Sequence, residues 1–79
     1  MRTEIDIFAI DKVRDMRIKK NISQKELSYA INRSRGFIAN RESGPDKYSL
    51  THLNEIARVL NCSPKDFLPE TPLRISSEK

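Results

Sequence analysis

Apolar residues recur at helical spacing along most of this chain, in short runs broken by polar punctuation. In "IDIFAIDKVRDMRIKKN", Ile10, Val13 and Met16 sit three apart, which predicts a first helix with Asp6 as its cap. Ile5 and Ile7 alternate with charges, so "TEIDIFA" is the one stretch with a trace of strand pattern. Asn21 fits a left-handed helix stop, with Ile22 as an apolar plug behind it. Ser23 and Glu26 have the spacing of a capping box, and Leu27, Ala30 and Ile31 give the second helix an inward stripe. Asn32 stands where a sharp turn needs positive φ. Ser34 caps an expected third helix over 34–42, stopped by Gly44 and Pro45. Ser49 caps a fourth, where Leu50, Leu53, Ile56, Ala57 and Leu60 form the strongest amphipathic pattern of the chain. Ser63 and Pro64 start a short fifth helix that offers Phe67 and Leu68 to the core. Residues 69–79 hold two prolines and read as a short ordered stub followed by a loose tail. The expected fold class is all-α: one compact five-helix domain spanning 1–79, with its core at about 8–68.

Composition narrows the classes. With 79 residues the chain is a single small domain that buries a modest share of its surface. Charged residues make up 33%, and no apolar run approaches the roughly 20 residues that span a bilayer. Arg2, Glu4 and Asp6 interrupt the only candidate signal segment. The lone Cys62 excludes an intramolecular disulfide, so a reducing cytoplasm is the expected location. No Ser-His-Asp set, Gly-rich phosphate loop or zinc spacing appears, and His52 has no partner at ligand spacing. Neither an enzyme nor a metal or other cofactor is expected.

Charge adds a direction. The net charge is +4, and the excess is concentrated. Arg17, Lys19, Lys20 and Lys25 fall together with no acid between them, and Arg33, Arg35, Arg41 and Lys47 outnumber Glu42 and Asp46 in the next stretch. Such clustering suits a polyanion. On a helical wheel of 34–42, Ser34, Ile38 and Glu42 share one face with Arg41 beside it. Gly36, Asn40, Ala39 and Arg33 lie opposite, flanked by Arg35 and Phe37. The outward face is small, polar and cationic, as a helix entering a DNA major groove needs; Arg can read guanine and Asn adenine, each bidentately. Phe37 has two readings, partial core or contact with a thymine methyl.

The stretch "RIKKNISQKELSYAINRSRGFIANRESG", with "LTHLNEIARVLNCSPKDFL" after it, resembles the helix-turn-helix domain of phage-repressor-like bacterial regulators, the XRE or Cro/C1 type. The resemblance runs from Val13 to Leu68. It implies a lambda-repressor-like domain that reads double-stranded DNA with its third helix while the second crosses the backbone. By position it implies base reading by Arg35, Gly36 and Asn40, with Phe37 as a fourth candidate. It implies phosphate contacts by Gln24, Ser34 and Ser43, to which Ser23, Arg33 and Lys47 are natural additions. Arg17 and Glu42 match a pair that forms a buried ion pair in some members. The expected outcome is transcriptional regulation, repression first, by a homodimer on a near-palindromic operator. The rival is an antitoxin-like module that binds DNA only with a protein partner such as a toxin. Five positions depart from the family pattern: Ser28 replaces the usual Ala, Asn32 the usual Gly, Arg33 and Arg41 usual apolar residues, and Gly36 a residue that usually has a reading side chain.

Overall fold

A computed structural model describes residues 2–75. Four α-helices follow in order: α1 (Glu4–Lys19), α2 (Gln24–Ala30), α3 (Phe37–Ser43) and α4 (Leu50–Leu60). A single 3-10 turn, Pro64–Phe67, follows α4. The expected fifth α-helix is therefore only this turn. Pro69 explains the early stop: it disfavours helical backbone at the residue before it, and Leu68 is extended at φ −118° and ψ 150°. Phe67 is fully buried, but Leu68 turns outward.

The N-terminal alternation of Ile5 and Ile7 lies inside α1, so it is helical. The cap of α1 is Thr3, not Asp6. Asp6 sits one turn in, where its carboxylate accepts from the Thr3 amide at 2.8 Å and the Thr3 hydroxyl at 3.1 Å. Burial pushes the Asp6 carboxyl up, but the Thr3 donors and the Lys47 ammonium outweigh it and hold it below its usual value.

Three helices end alike. Asn21, Asn32 and Asn61 adopt φ of 59°, 60° and 57°. Each amide closes the last turn behind it, and the next residue's amide reaches one carbonyl further back: Ile22 to Arg17, Arg33 to Ser28, Cys62 to Ala57. This is the Schellman arrangement, which places the residue after the Asn against the helix it has just left. Ile22 and Cys62 occupy that slot as partly buried apolar residues. Arg33 occupies it in α2.

α3 begins later than its sequence suggests. Gly36, not Ser34, is the N-cap, with φ −92° and ψ 6° and no side chain to cap with. Ser34 instead accepts the Phe37 amide through its carbonyl, in one tight turn. Gly44 does end α3, but in extended backbone. The need for glycine there is steric: a Cβ would stand 2.5 Å from the Asn40 carbonyl oxygen. α4 starts as expected at Ser49, whose hydroxyl accepts the His52 amide at 3.1 Å while His52 Nδ1 accepts the Ser49 amide at 3.0 Å.

The core forms where α1, α2, α3, α4 and the 3-10 turn converge, with Val13, Leu27, Ile38, Ile56, Leu60 and Phe67 essentially inaccessible. Besides Leu68, two expected core positions are not there. Leu50 is 79% exposed at the start of α4, and Ala30 is exposed on α2, whose inward face is Leu27, Ser28 and Ile31. After the 3-10 turn the chain returns to the start of α1, where the Arg74 guanidinium meets the Glu4 carboxylate at 3.0 Å. Residues 76–79 of the expected tail lie outside the described residues.

Candidate nucleic-acid interface

Two short helices make the candidate interface, and three polar devices fix how they sit. The first is Ser28. Its hydroxyl is fully buried, donates to the Gln24 carbonyl at 2.8 Å and accepts the Ile38 amide at 3.1 Å. Ile38 lies in the first turn of α3, where amides have no intrahelical acceptor. Ser28 thus does from α2 what Gly36 lacks the side chain to do. Ser28→Ala is expected to leave that amide unpaired and lower stability by about 1–3 kcal/mol. Urea unfolding followed by far-UV circular dichroism reads this directly, and an unchanged midpoint would contradict it.

The second device is the carboxylate of Glu42, near the end of α3. Arg17 of α1 donates to it twice, from Nε and Nη2, at 2.9 Å each. The third Arg17 nitrogen, Nη1, donates to the Ile22 carbonyl at 2.9 Å. Gln24, first residue of α2, donates Nε2 to the same carboxylate at 2.9 Å. One buried acid therefore gathers donors from α1 and α2 onto α3.

The third device surrounds Phe37. Phe37 is 8% exposed and belongs to the core, which favours the core reading over contact with a thymine methyl. The Arg41 guanidinium lies 3.7 Å from the ring centroid and Arg33 lies 5.5 Å from it. His52 meets the ring edge-on at 4.9 Å, and Tyr48 stands 6.5 Å away. Arg33 also donates to Glu55 of α4 at 2.8 Å. Arg41 Nη1 is 3.8 Å from Asp46, while Arg41 Nε and Tyr48 Oη are buried and have no hydrogen-bond partner among the described residues. For Arg41 the cation–π contact is the main local attraction. Burial, then the Arg33 and Arg41 charges, hold the His52 pKa below its usual value, which suits a ring nitrogen that accepts the cap hydrogen bond. Burial and the neighbouring Glu42 charge push the Tyr48 phenol upward.

The expected site residues thus separate. Arg35 and Asn40 are exposed, and among the described residues neither side chain has a hydrogen-bond or ion-pair partner. Gly36 lies beside Asn40: a Cβ on it would meet only Asn40 Nδ2, at 3.9 Å. Among the described residues, nothing requires a glycine at that position. Ser34 and Ser43 are exposed around the ends of α3, and Ser43 donates back to the Ala39 carbonyl at 2.8 Å. Ser23 forms the capping box with Glu26, and Lys47 lies 3.6 Å from Asp6. Gln24 and Arg33 already have partners within the protein. Sequence reasoning missed the Ser28 bridge and Glu55. The Ser28 bridge had a signal, a polar residue between Leu27 and Ile31 on an inward face; Glu55 had none.

The model of the Cro/C1-type helix-turn-helix DNA-binding domain matches residues 12–69. The chain belongs to that family. Its relatives include the control protein C.BamHI of Bacillus amyloliquefaciens, 31% identical over 80 residues that span 100% of this chain and 99% of the relative. The restriction-modification controller protein C.AhdI from Aeromonas hydrophila shares the fold with a TM-score of 0.71 at 23% identity, over 82% of this chain and 93% of that one. The clp gene regulator ClgR from Corynebacterium glutamicum does so with a TM-score of 0.74 at 23% identity, over 84% and 86%. As a Cro/C1-type protein, the chain is a DNA-binding transcriptional regulator whose ligand is double-stranded DNA. Among the described residues, no helix is long and apolar enough to cross a membrane, and no group of His, Cys, Asp and Glu is placed to hold a metal ion.

Proposed function

We propose that α3 of this Cro/C1-type regulator reads its operator in the major groove, with Arg35 and Asn40 on base edges and Gly36 allowing close approach. The observation that carries this reading is the division of the three arginines. Arg33 and Arg41 are engaged around Phe37, which leaves Arg35 as the exposed guanidinium beside the small, open surface of Gly36 and Asn40. Ser34 and Ser43 bracket that surface and would contact phosphates, with Ser23, Gln24 and Lys47 at the backbone beside them. Gln24 would have to share or exchange its bond to Glu42 to do so. A seven-residue helix reads few base pairs, so a homodimer on a near-palindromic site is the natural working form. The likeness to two controller proteins supports a role in the control of restriction-modification genes, in the cytoplasm, without catalysis.

Selection of bound sequences from random duplexes tests the reading. A two-fold symmetric consensus is expected. Arg35→Ala is expected to lose about 1–3 kcal/mol on the selected duplex and to relax preference at one position per half-site. Unchanged affinity and preference in that variant would remove α3 from the reading role.

A further inference from the structure

Arg33 sits where its residue type looks misplaced. It fills the slot after the left-handed Asn32, the slot that Ile22 and Cys62 fill with apolar side chains at the ends of α1 and α4. Its guanidinium does not extend freely into solvent. Nη2 bonds Glu55 at 2.8 Å, and the guanidinium carbon lies 5.5 Å from the centre of the Phe37 ring. The Arg41 guanidinium takes up the same ring at 3.7 Å. Two cations therefore share one aromatic residue, and that residue is the first of α3. One of the two cations is fastened to α4, at Glu55, and the other to the loop after α3, at Asp46.

The segment so held is the turn between α2 and α3. Past the Arg33 amide, its backbone bonds are the Ser34 carbonyl to Phe37 and the Gly36 carbonyl to Asn40. Both lie within α3 or its first turn, so neither ties the turn to α4. The Arg33–Glu55 pair does. About a third of each side chain is exposed, so the pair adds little to global stability. Its effect is on geometry: it sets where the chain stands two residues before Arg35.

We propose that Arg33 is a positioning residue and not a phosphate contact. Together with Glu55, Phe37 and Arg41 it fixes the α2–α3 turn against α4, and so sets how Arg35, Gly36 and Asn40 meet the bases. This rests on the proposed reading of DNA by α3.

The test compares the full chain with Arg33→Met, Glu55→Leu and the double variant. Each is titrated with the selected duplex and with a scrambled duplex of equal length, across a range of salt. Glu55→Leu removes a negative charge, so bulk electrostatics alone would tighten both complexes. A positioning role gives the opposite sign on the selected duplex. Each single variant is expected to weaken that complex by about tenfold, with the double variant no weaker than the singles. The salt slope stays at its wild-type value. The proposal is overturned if Glu55→Leu tightens both complexes alike. It is also overturned if Arg33→Met weakens both equally and lowers the salt slope by about 0.9, the signature of one lost phosphate contact. Amide hydrogen exchange of residues 37–40 in the free protein provides a readout independent of DNA. Faster exchange in both single variants supports the positioning role, and unchanged exchange overturns it. A wild-type chain that prefers no duplex would sink the reading by α3 while leaving this second measurement to decide the geometry.

Discussion

Glu42→Ala is expected to lower the unfolding free energy by about 3–5 kcal/mol, the usual cost of stranding one member of a buried ion pair. The Glu42 side chain is 5% exposed and that of Arg17 11%. Removing the carboxylate leaves the Arg17 guanidinium with a single acceptor, the Ile22 carbonyl, and leaves Gln24 Nε2 without its partner. A domain of this size holds only about 5–15 kcal/mol in total, so the variant approaches its unfolding midpoint under ordinary conditions. Urea denaturation measures the loss. The cause can be separated from the size. If the penalty is the unpaired buried charge, then Arg17→Met combined with Glu42→Leu recovers most of the stability, since replacing a buried pair by apolar groups is often neutral or better. A double variant as unstable as Glu42→Ala alone would overturn that account. The recovered protein is then the informative one for DNA binding. It lacks the tie between α2 and α3 through Gln24, so operator affinity reports what that tie contributes.

Phe67→Ala is expected to cost about as much, roughly 3–5 kcal/mol, for a different reason. The ring is fully buried, and the 3-10 turn that carries it packs against both α1 and α4. Truncation leaves a void bounded by these helices, which the close-packed core cannot fully collapse. The adjacent Leu68, at 38% exposure, is the internal control: Leu68→Ala is expected to cost well under half as much. Equal losses in a pair of denaturation curves would mean that the turn, and not the ring, matters. The effect also falls on a different part of the molecule. Phe67 holds the scaffold behind the motif, so the folded fraction of Phe67→Ala retains its DNA preference.

What the sequence disclosed follows from the range of the interactions involved. Ser23, Ser49 and Ser63 begin their elements because a capping hydrogen bond joins residues two or three apart, and such spacing is visible in a string. Asn21 and Asn32 are legible for the same reason, and Asn61 ends α4 in the same way. Thr3 with Asp6 also has the capping-box spacing, and the pair, not Asp6 alone, marks the start of α1. The failures lie where the partner is distant. Ser34 reads as the cap of α3 because local rules favour a hydroxyl there; the hydroxyl that accepts a first-turn amide of α3 is that of Ser28, ten residues before Ile38. Arg33 reads as a phosphate contact because its partner, Glu55, lies 22 residues away on α4, whereas Arg41 meets the Phe37 ring one turn earlier in the same helix. Leu50 matched the apolar period of α4, yet the period cannot tell a first-turn residue that faces solvent from one that faces a neighbour.

The bond from the Ser28 hydroxyl to the Ile38 amide has a further consequence for the motif as a cooperative unit. Seven residues are too few to stay helical in water by themselves, since the cost of nucleation is recovered only over longer stretches. α3 therefore depends on its neighbours, and opening of α2 would remove the acceptor of its Ile38 amide and the Gln24 bond to Glu42 together. The reading surface and the helix that crosses the backbone should open and close as one foldon. Loosening of α3 is then expected to come with loosening of α2, so that the motif meets its ligand as one ordered piece.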